Sequence, residues 1–184
     1  MKRFTLLLLF LSLFLVTNAQ KYMTKNGYIG FFSHTPIEDI KADNNQVASV
    51  LDISTGDIVF QVLIKSFHFE KTLMEEHFNE NYLESEKFPR STFKGKIINL
   101  SEVDFTKIGK YDVTVEGELN IHNITRKVSE KGSVEVVSGG INANSKFNII
   151  PEDYNIKIPA IVRENIARTI EVTVIIKYSP LENK

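Results

Sequence analysis

Tyr111-Asp112-Val113-Thr114-Val115-Glu116-Gly117-Glu118-Leu119-Asn120-Ile121 alternates almost without a break. The odd positions carry Tyr, Val, Val, Gly, Leu and Ile; the even ones carry Asp, Thr, Glu, Glu and Asn. Successive side chains of a strand point to opposite faces, so this stretch predicts a strand with one face buried and one wet. The period recurs downstream. Ile141, Ala143, Ser145, Phe147 and Ile149 share one face of a second strand, with Asn142, Asn144, Lys146 and Asn148 opposite. Ile170, Val172, Val174, Ile176 and Tyr178 share one face of a third.

Composition extends the reading to the whole chain. Beyond residue 19 it holds 21 Ile and 14 Val against 7 Leu and 5 Ala. Branched side chains pack well on a pleated surface, whereas Leu and Ala favour helices. Turn signals stand at Asn26-Gly27, Ser54-Thr55-Gly56-Asp57, Gly109-Lys110 and Gly139-Gly140. Strand candidates run over 22–25, 28–34, 46–53, 57–67, 91–100, 111–121, 126–137, 141–150 and 169–178. Asp57 to Phe69 is apolar on both faces for part of its length, which predicts another element lying over it. Hairpin succession without a βα rhythm predicts an all-β, antiparallel meander, and about eight such strands close into a barrel that leaves no open edge.

Thr72 to Leu83 departs from this period. It opens on an N-cap residue type, carries acids in its first turn, and repeats Leu73 or Met74, Phe78 and Tyr82 at helical spacing. One helix of about three turns, laid against the barrel, is expected. Residues 151–167 contain two prolines and no clean period, so they predict a long ordered connection.

Residues 1–19 read as a cleaved signal peptide. Lys2 and Arg3 are basic, Phe4–Val16 is apolar, and Thr17 and Ala19 are the small residues before a cut at Gln20. The apolar run is shorter than the ~20 residues a spanning helix needs. Residues 20–184 then form one domain, exported to the periplasm or beyond it.

Charge and cysteine usage close off other functions. Twenty-two basic and 23 acidic residues leave a net charge of −1, with no cationic field for nucleic acid or an anionic bilayer. Without Cys there is no disulfide scaffold, thiolate nucleophile or thiolate metal site. Four histidines (His34, His68, His77 and His122) bring no metal motif, since Glu76-His77 with Glu80 lacks two histidines at i and i+4. No Gly-x-Ser-x-Gly elbow and no phosphate-cradling Gly-rich loop occurs. The expectation is a non-enzyme with no cofactor and no metal.

The apolar residues say more. Period-two geometry points Phe60, Phe93 and Phe147 to one interior, with Val113 and Val115. Ile170, Val172 and Val174 join them, as do Val62 and, from the helix, Phe78. An eight-stranded barrel either fills such an interior or leaves it open for one apolar ligand, and the pattern does not choose. Any polar head group would meet donors at the mouth, for which His77, Tyr82 and His122 are the candidates.

Five segments in order resemble the YceI-like family of polyisoprenoid-binding exported proteins. They are Phe31–Glu38 (FFSHTPIE), Ile58–Phe69 (IVFQVLIKSFHF), His77–Leu83 (HFNENYL), Phe88–Gly95 (FPRSTFKG) and Gly117–Thr125 (GELNIHNIT). Where the family usually has His-Gly after its long strand, this chain has His122-Asn123, and Asn tolerates the left-handed conformation that turn needs. The resemblance implies a lipocalin-like, extended eight-stranded antiparallel barrel holding a polyisoprenoid, or a related lipid such as an isoprenoid quinone, in an apolar channel. It implies no catalytic residues. A ligand-free structural barrel with a filled core is the alternative, and a homodimer is left open. An outer-membrane barrel is disfavoured by the lack of Trp for an interfacial girdle and of a terminal aromatic after Pro180.

Overall fold

In the computed structural model, which describes residues 21–181, the quoted strand lies at the centre of a long hairpin. β6 (Gly109–Ile121) pairs with β7 (Ile124–Val137) in unbroken register, from Gly109 opposite Val136 to Ile121 opposite Ile124. His122 and Asn123 make the two-residue turn with φ of 51° and 60°. Two successive left-handed residues match the right-handed twist of the strands. The family's usual glycine is thus replaced by a residue that tolerates its conformation. The expected signal peptide lies outside the described residues.

The other strands are β1 (Lys21–His34), β2 (Asp39–Asp52), β3 (Asp57–Leu63), the two-residue β4 (His68–Phe69), β5 (Arg90–Ile97), β8 (Gly140–Ile149) and β9 (Ile170–Pro180). Around the barrel the order is β1-β9-β8-β7-β6-β5-β3-β2, and β2 pairs back onto β1. Every neighbouring pair is antiparallel and consecutive in sequence apart from β3–β5, which skips β4, and the closing β9–β1 pair. The chain is a closed, eight-stranded up-and-down meander with β4 as an annex on β2.

Three expectations need correction. Asn26-Gly27 is not a turn: β1 runs through it, and the register with β2 shifts on either side of Gly27. A Cβ there would stand 2.5 Å from Ile176 Cδ1, so β9 occupies the space a side chain would need. The strand expected over 57–67 ends at Leu63, where Ile64–Ser66 turn as a 3₁₀ helix, and among the described residues no element covers its outer face, so Val59 is 42% exposed. The helix begins at Thr72 as expected, but its N-cap is Lys71 and Thr72 lies inside it. α1 (Thr72–His77) then widens into a π turn over Phe78–Tyr82; Leu73 stands in solvent, and Phe78 packs against the barrel core.

Burial is graded along the barrel. At one end the inward residues Leu51, Ile97, Ile141 and Ile176 have no appreciable exposure. Toward the other end Phe93, Val115, Leu119 and Phe147, on the same inward parity, stay partly exposed. One end of the barrel is filled, and the hollow above it reaches down to Leu51 and Ile97.

Candidate ligand-binding site

The hollow half holds two apolar cavities of about 290 and 130 Å³. They share Ile29, Val62, Ser91, Leu119 and Phe147 as common walls, so they adjoin inside the barrel. The larger is near the lower end of the ~300–1,000 Å³ usual for small-molecule sites.

Strand alternation positions the expected channel residues. Phe60, Phe93, Val113, Val115 and Val174 line the smaller cavity, and Phe78, Ile170 and Val172 the larger. Val62 and Phe147 line both. Phe60 and Phe93 are register partners on β3 and β5, with ring centroids 6.2 Å apart. The Phe93 ring lies over Gly95 and Gly117, which face each other across β5 and β6; a Cβ on Gly117 would come within 2.8 Å of that ring. The glycines therefore give the ring its resting place and keep it out of the cavity centre.

Phe78 closes the larger cavity from the helical side. Its ring lies 5.5 Å from both Phe31 and Phe67 and 5.1 Å from Phe69, an aromatic quartet at the barrel rim. The connection expected over 151–167 extends to residue 169, where β9 begins at Ile170, and forms the opposite rim. Pro151, Ile156, Ile158, Val162 and Ile166 all face the cavity. Arg163 holds this segment by pairing with Glu152 at 2.9 Å, and the Ala167 amide donates to the buried Ser33 Oγ at 2.9 Å.

The polar lip is small. Glu38 accepts from Lys71 Nζ at 2.9 Å and from Asn165 Nδ2 at 3.1 Å, which ties the helical rim to the 151–169 rim. Those two bonds, Lys71 first, lower the Glu38 pKa below its ordinary value. His77 and Tyr82 also line this mouth, and burial raises the Tyr82 pKa. The third mouth candidate, His122, is elsewhere: it lines neither cavity. Its Nε2 lies 2.8 Å from Glu84 and its Nδ1 3.3 Å from the Tyr154 carbonyl, with Phe88 edge-on at 4.7 Å. His122 is a clasp between loops.

Glu38, Asn165 and the 151–169 rim escaped the sequence reading because no short-range period marks them. The parity of Ile29 and Phe31 would have identified those two wall residues. Among the described residues no cluster of three or more His, Cys, Asp or Glu is placed to hold a metal. The site offers a dry apolar wall with a sparse polar edge, suited to holding a hydrocarbon chain.

A closed antiparallel barrel with an apolar hollow defines the class of fold. The chain matches the YceI-like domain over residues 20–178 and belongs to that family. Solved structures share its architecture at low identity. A polyisoprenoid binding domain from Saccharophagus degradans, implicated in plant cell wall breakdown, is 12% identical with a TM-score of 0.77, covering 89% of this chain and 99% of its own. BcnA of Burkholderia cenocepacia is 12% identical with a TM-score of 0.69, covering 83% and 96%. The Campylobacter jejuni YCEI protein is 16% identical with a TM-score of 0.62, covering 81% and 90%. No curated protein matches the chain. At these identities the likeness is one of fold.

Proposed function

We propose that this chain is an exported binding protein that holds a long apolar ligand, of polyisoprenoid or isoprenoid-quinone type, for carriage or storage in the periplasm or outside the cell. The observation that carries the reading is the hollow half of the barrel, where inward aromatic and aliphatic residues keep partial exposure although the sheet closes around them. A barrel kept for structure alone gains stability by filling that space, as its other half does. The Saccharophagus neighbour, described as polyisoprenoid binding, adds support by analogy of fold.

In this reading the chain enters past His77, Tyr82 and Phe78, and Phe147, Ile170 and Val172 line its path. Phe60, Val62, Phe93, Val113, Val115 and Val174 hold its far end. Each carbon group withdrawn from water contributes about 0.8 kcal/mol, so a few isoprene units give several kcal/mol before the cost of ordering the chain is subtracted. No bond is made or broken; the protein acts as a binder and not as an enzyme.

Native mass spectrometry of the protein purified from its producing cells tests the reading. A co-purifying apolar mass that is lost on denaturation is expected. A ligand-free spectrum, together with no uptake of added geranylgeraniol, would favour the ligand-free barrel instead.

A further inference from the structure

Three large apolar side chains stand in solvent beside the mouth of the larger cavity. Ile37 is 59% exposed on the turn between β1 and β2, Leu73 60% in α1, and Ile161 92% in the short 3₁₀ helix Ala160–Val162. The chain neighbours of these three, Glu38, Met74 and Val162, all line the cavity. Glu38 also draws the three segments together, through its bonds to Lys71 and Asn165. The tips therefore flank one opening from three separate segments.

Each tip is held on an ordered turn. Thr35 Oγ1 accepts from the Ile37 and Glu38 amides at 3.2 and 3.0 Å. The Met74 amide donates to the Lys71 carbonyl at 3.0 Å, and the Val162 amide to the Pro159 carbonyl at 3.1 Å. Among the described residues none of the three side chains joins a hydrophobic cluster of the core. Their apolar surface is left for something outside the chain to cover.

The charges of this face nearly cancel. Residues 35–41, 68–77 and 156–168 carry five Lys or Arg and six Asp or Glu. Glu38 is paired with Lys71, and Arg163 with Glu152. An anionic membrane would be held by an excess of cations, which this face lacks. It complements an uncharged surface that takes up isolated apolar side chains, and bilayer hydrocarbon does so without a preformed pocket for each. A protein partner would have to offer three matched pockets around a polar lip.

We propose that this face docks on an uncharged lipid surface, with Ile37, Leu73 and Ile161 inserted below the head groups and the cavity mouth open to the hydrocarbon. An apolar chain then passes between bilayer and barrel without exposing its length to water. The choice of a lipid surface rests on the apolar-ligand reading above and adds where the ligand is collected or delivered.

Flotation of the full-length mature protein with phosphatidylcholine vesicles tests it, against a variant combining Ile37→Ser, Leu73→Ser and Ile161→Ser. The wild type should float with the vesicles and should not be released by raised salt. The triple variant, shown to be folded by a matched melting curve, should bind at least about tenfold more weakly. Ile108, 76% exposed beside Gly109 at the filled end, supplies the control, and Ile108→Ser should bind vesicles as the wild type does. No vesicle binding by the wild type, equal binding by the triple variant, or salt-sensitive binding to phosphatidylglycerol vesicles alone would overturn the docking face. Titration with geranylgeraniol in detergent solution keeps the two readings apart. Equal affinity in wild type and triple variant is expected, since the tips act in docking and not in holding the ligand. No uptake by either, with vesicle binding intact, would overturn the apolar-ligand reading and leave the docking face standing.

Discussion

Ser49 Oγ and Tyr178 Oη meet 2.6 Å apart in the filled half of the barrel, although β1 separates their strands. Ser49 donates to the Val59 carbonyl at 2.9 Å, so the phenol is the donor of the shorter bond. Tyr178 is 3% exposed, and burial holds its pKa well above the ordinary value. The bond pins β9 to β2 through the core and gives the hollow half a rigid floor.

Removing only that hydroxyl separates packing from hydrogen bonding. Tyr178→Phe should cost about 1 kcal/mol, because Ser49 keeps its carbonyl partner, while Tyr178→Ala should cost about 3–5 kcal/mol through the cavity it leaves. Chemical denaturation of the two variants checks the ratio. Equal losses would mean that the ring contributes little to the floor.

Phe78→Ala opens the aromatic quartet at the rim. The ring is only half-buried, so a loss of about 2 kcal/mol is expected, below the ~3–5 kcal/mol of a fully buried aromatic. The wider mouth should also release bound lipid faster. An unchanged midpoint and an unchanged release rate would show that the ring is not a lid.

The Glu38 bridge between the two rims is acid-sensitive, and the sign follows from its lowered pKa. A carboxylate whose folded pKa is depressed adds stability that is fully present above the unfolded value. That stability is lost as pH falls through the folded value. The melting-temperature gap between wild type and Glu38→Gln should therefore be constant above pH 5 and should shrink below the ordinary value of 4.5. A gap independent of pH down to 3 would mean that the Lys71 contact is not formed in solution.

Processing before Gln20 is expected from Thr17 and Ala19. Intact-mass analysis of the exported protein should find Gln20 at the N-terminus, some of it short by one ammonia through cyclisation. A mass that includes residues 1–19 would mean an anchored protein.

Strict alternation made much of the barrel legible in the sequence. β6, β8 and β9 each keep one apolar parity from end to end, because each has one dry face and no bulge. The first half of β2 was hidden by its composition, Asp39-Ile40-Lys41-Ala42-Asp43-Asn44-Asn45-Gln46. Asn44 is fully buried there, with its Nδ2 donating to the Leu63 carbonyl at 3.0 Å, so a polar residue occupies a core position that periodicity assigns to an apolar one. Glu130 illustrates the converse: it shares the inward parity of Val128 and Val134 yet keeps partial exposure, a charged residue in an otherwise apolar pattern. The rim over 151–169 is set by tertiary contacts such as Ser33 with Ala167, 134 positions apart, which no local pattern reports.

The apolar hollow itself is tested most directly by paired substitutions on one strand. Val172 is buried and faces the larger cavity, while Thr173 points outward beside Gly30 and Lys146. Val172→Asp sets a carboxyl where water is scarce, so it must protonate or draw water in, and lipid should be lost. Thr173→Asp should retain it. With both variants shown to be folded, native mass spectrometry should find the apolar ligand on wild type and Thr173→Asp and at least tenfold less on Val172→Asp. Equal retention by the two would contradict an apolar binding channel.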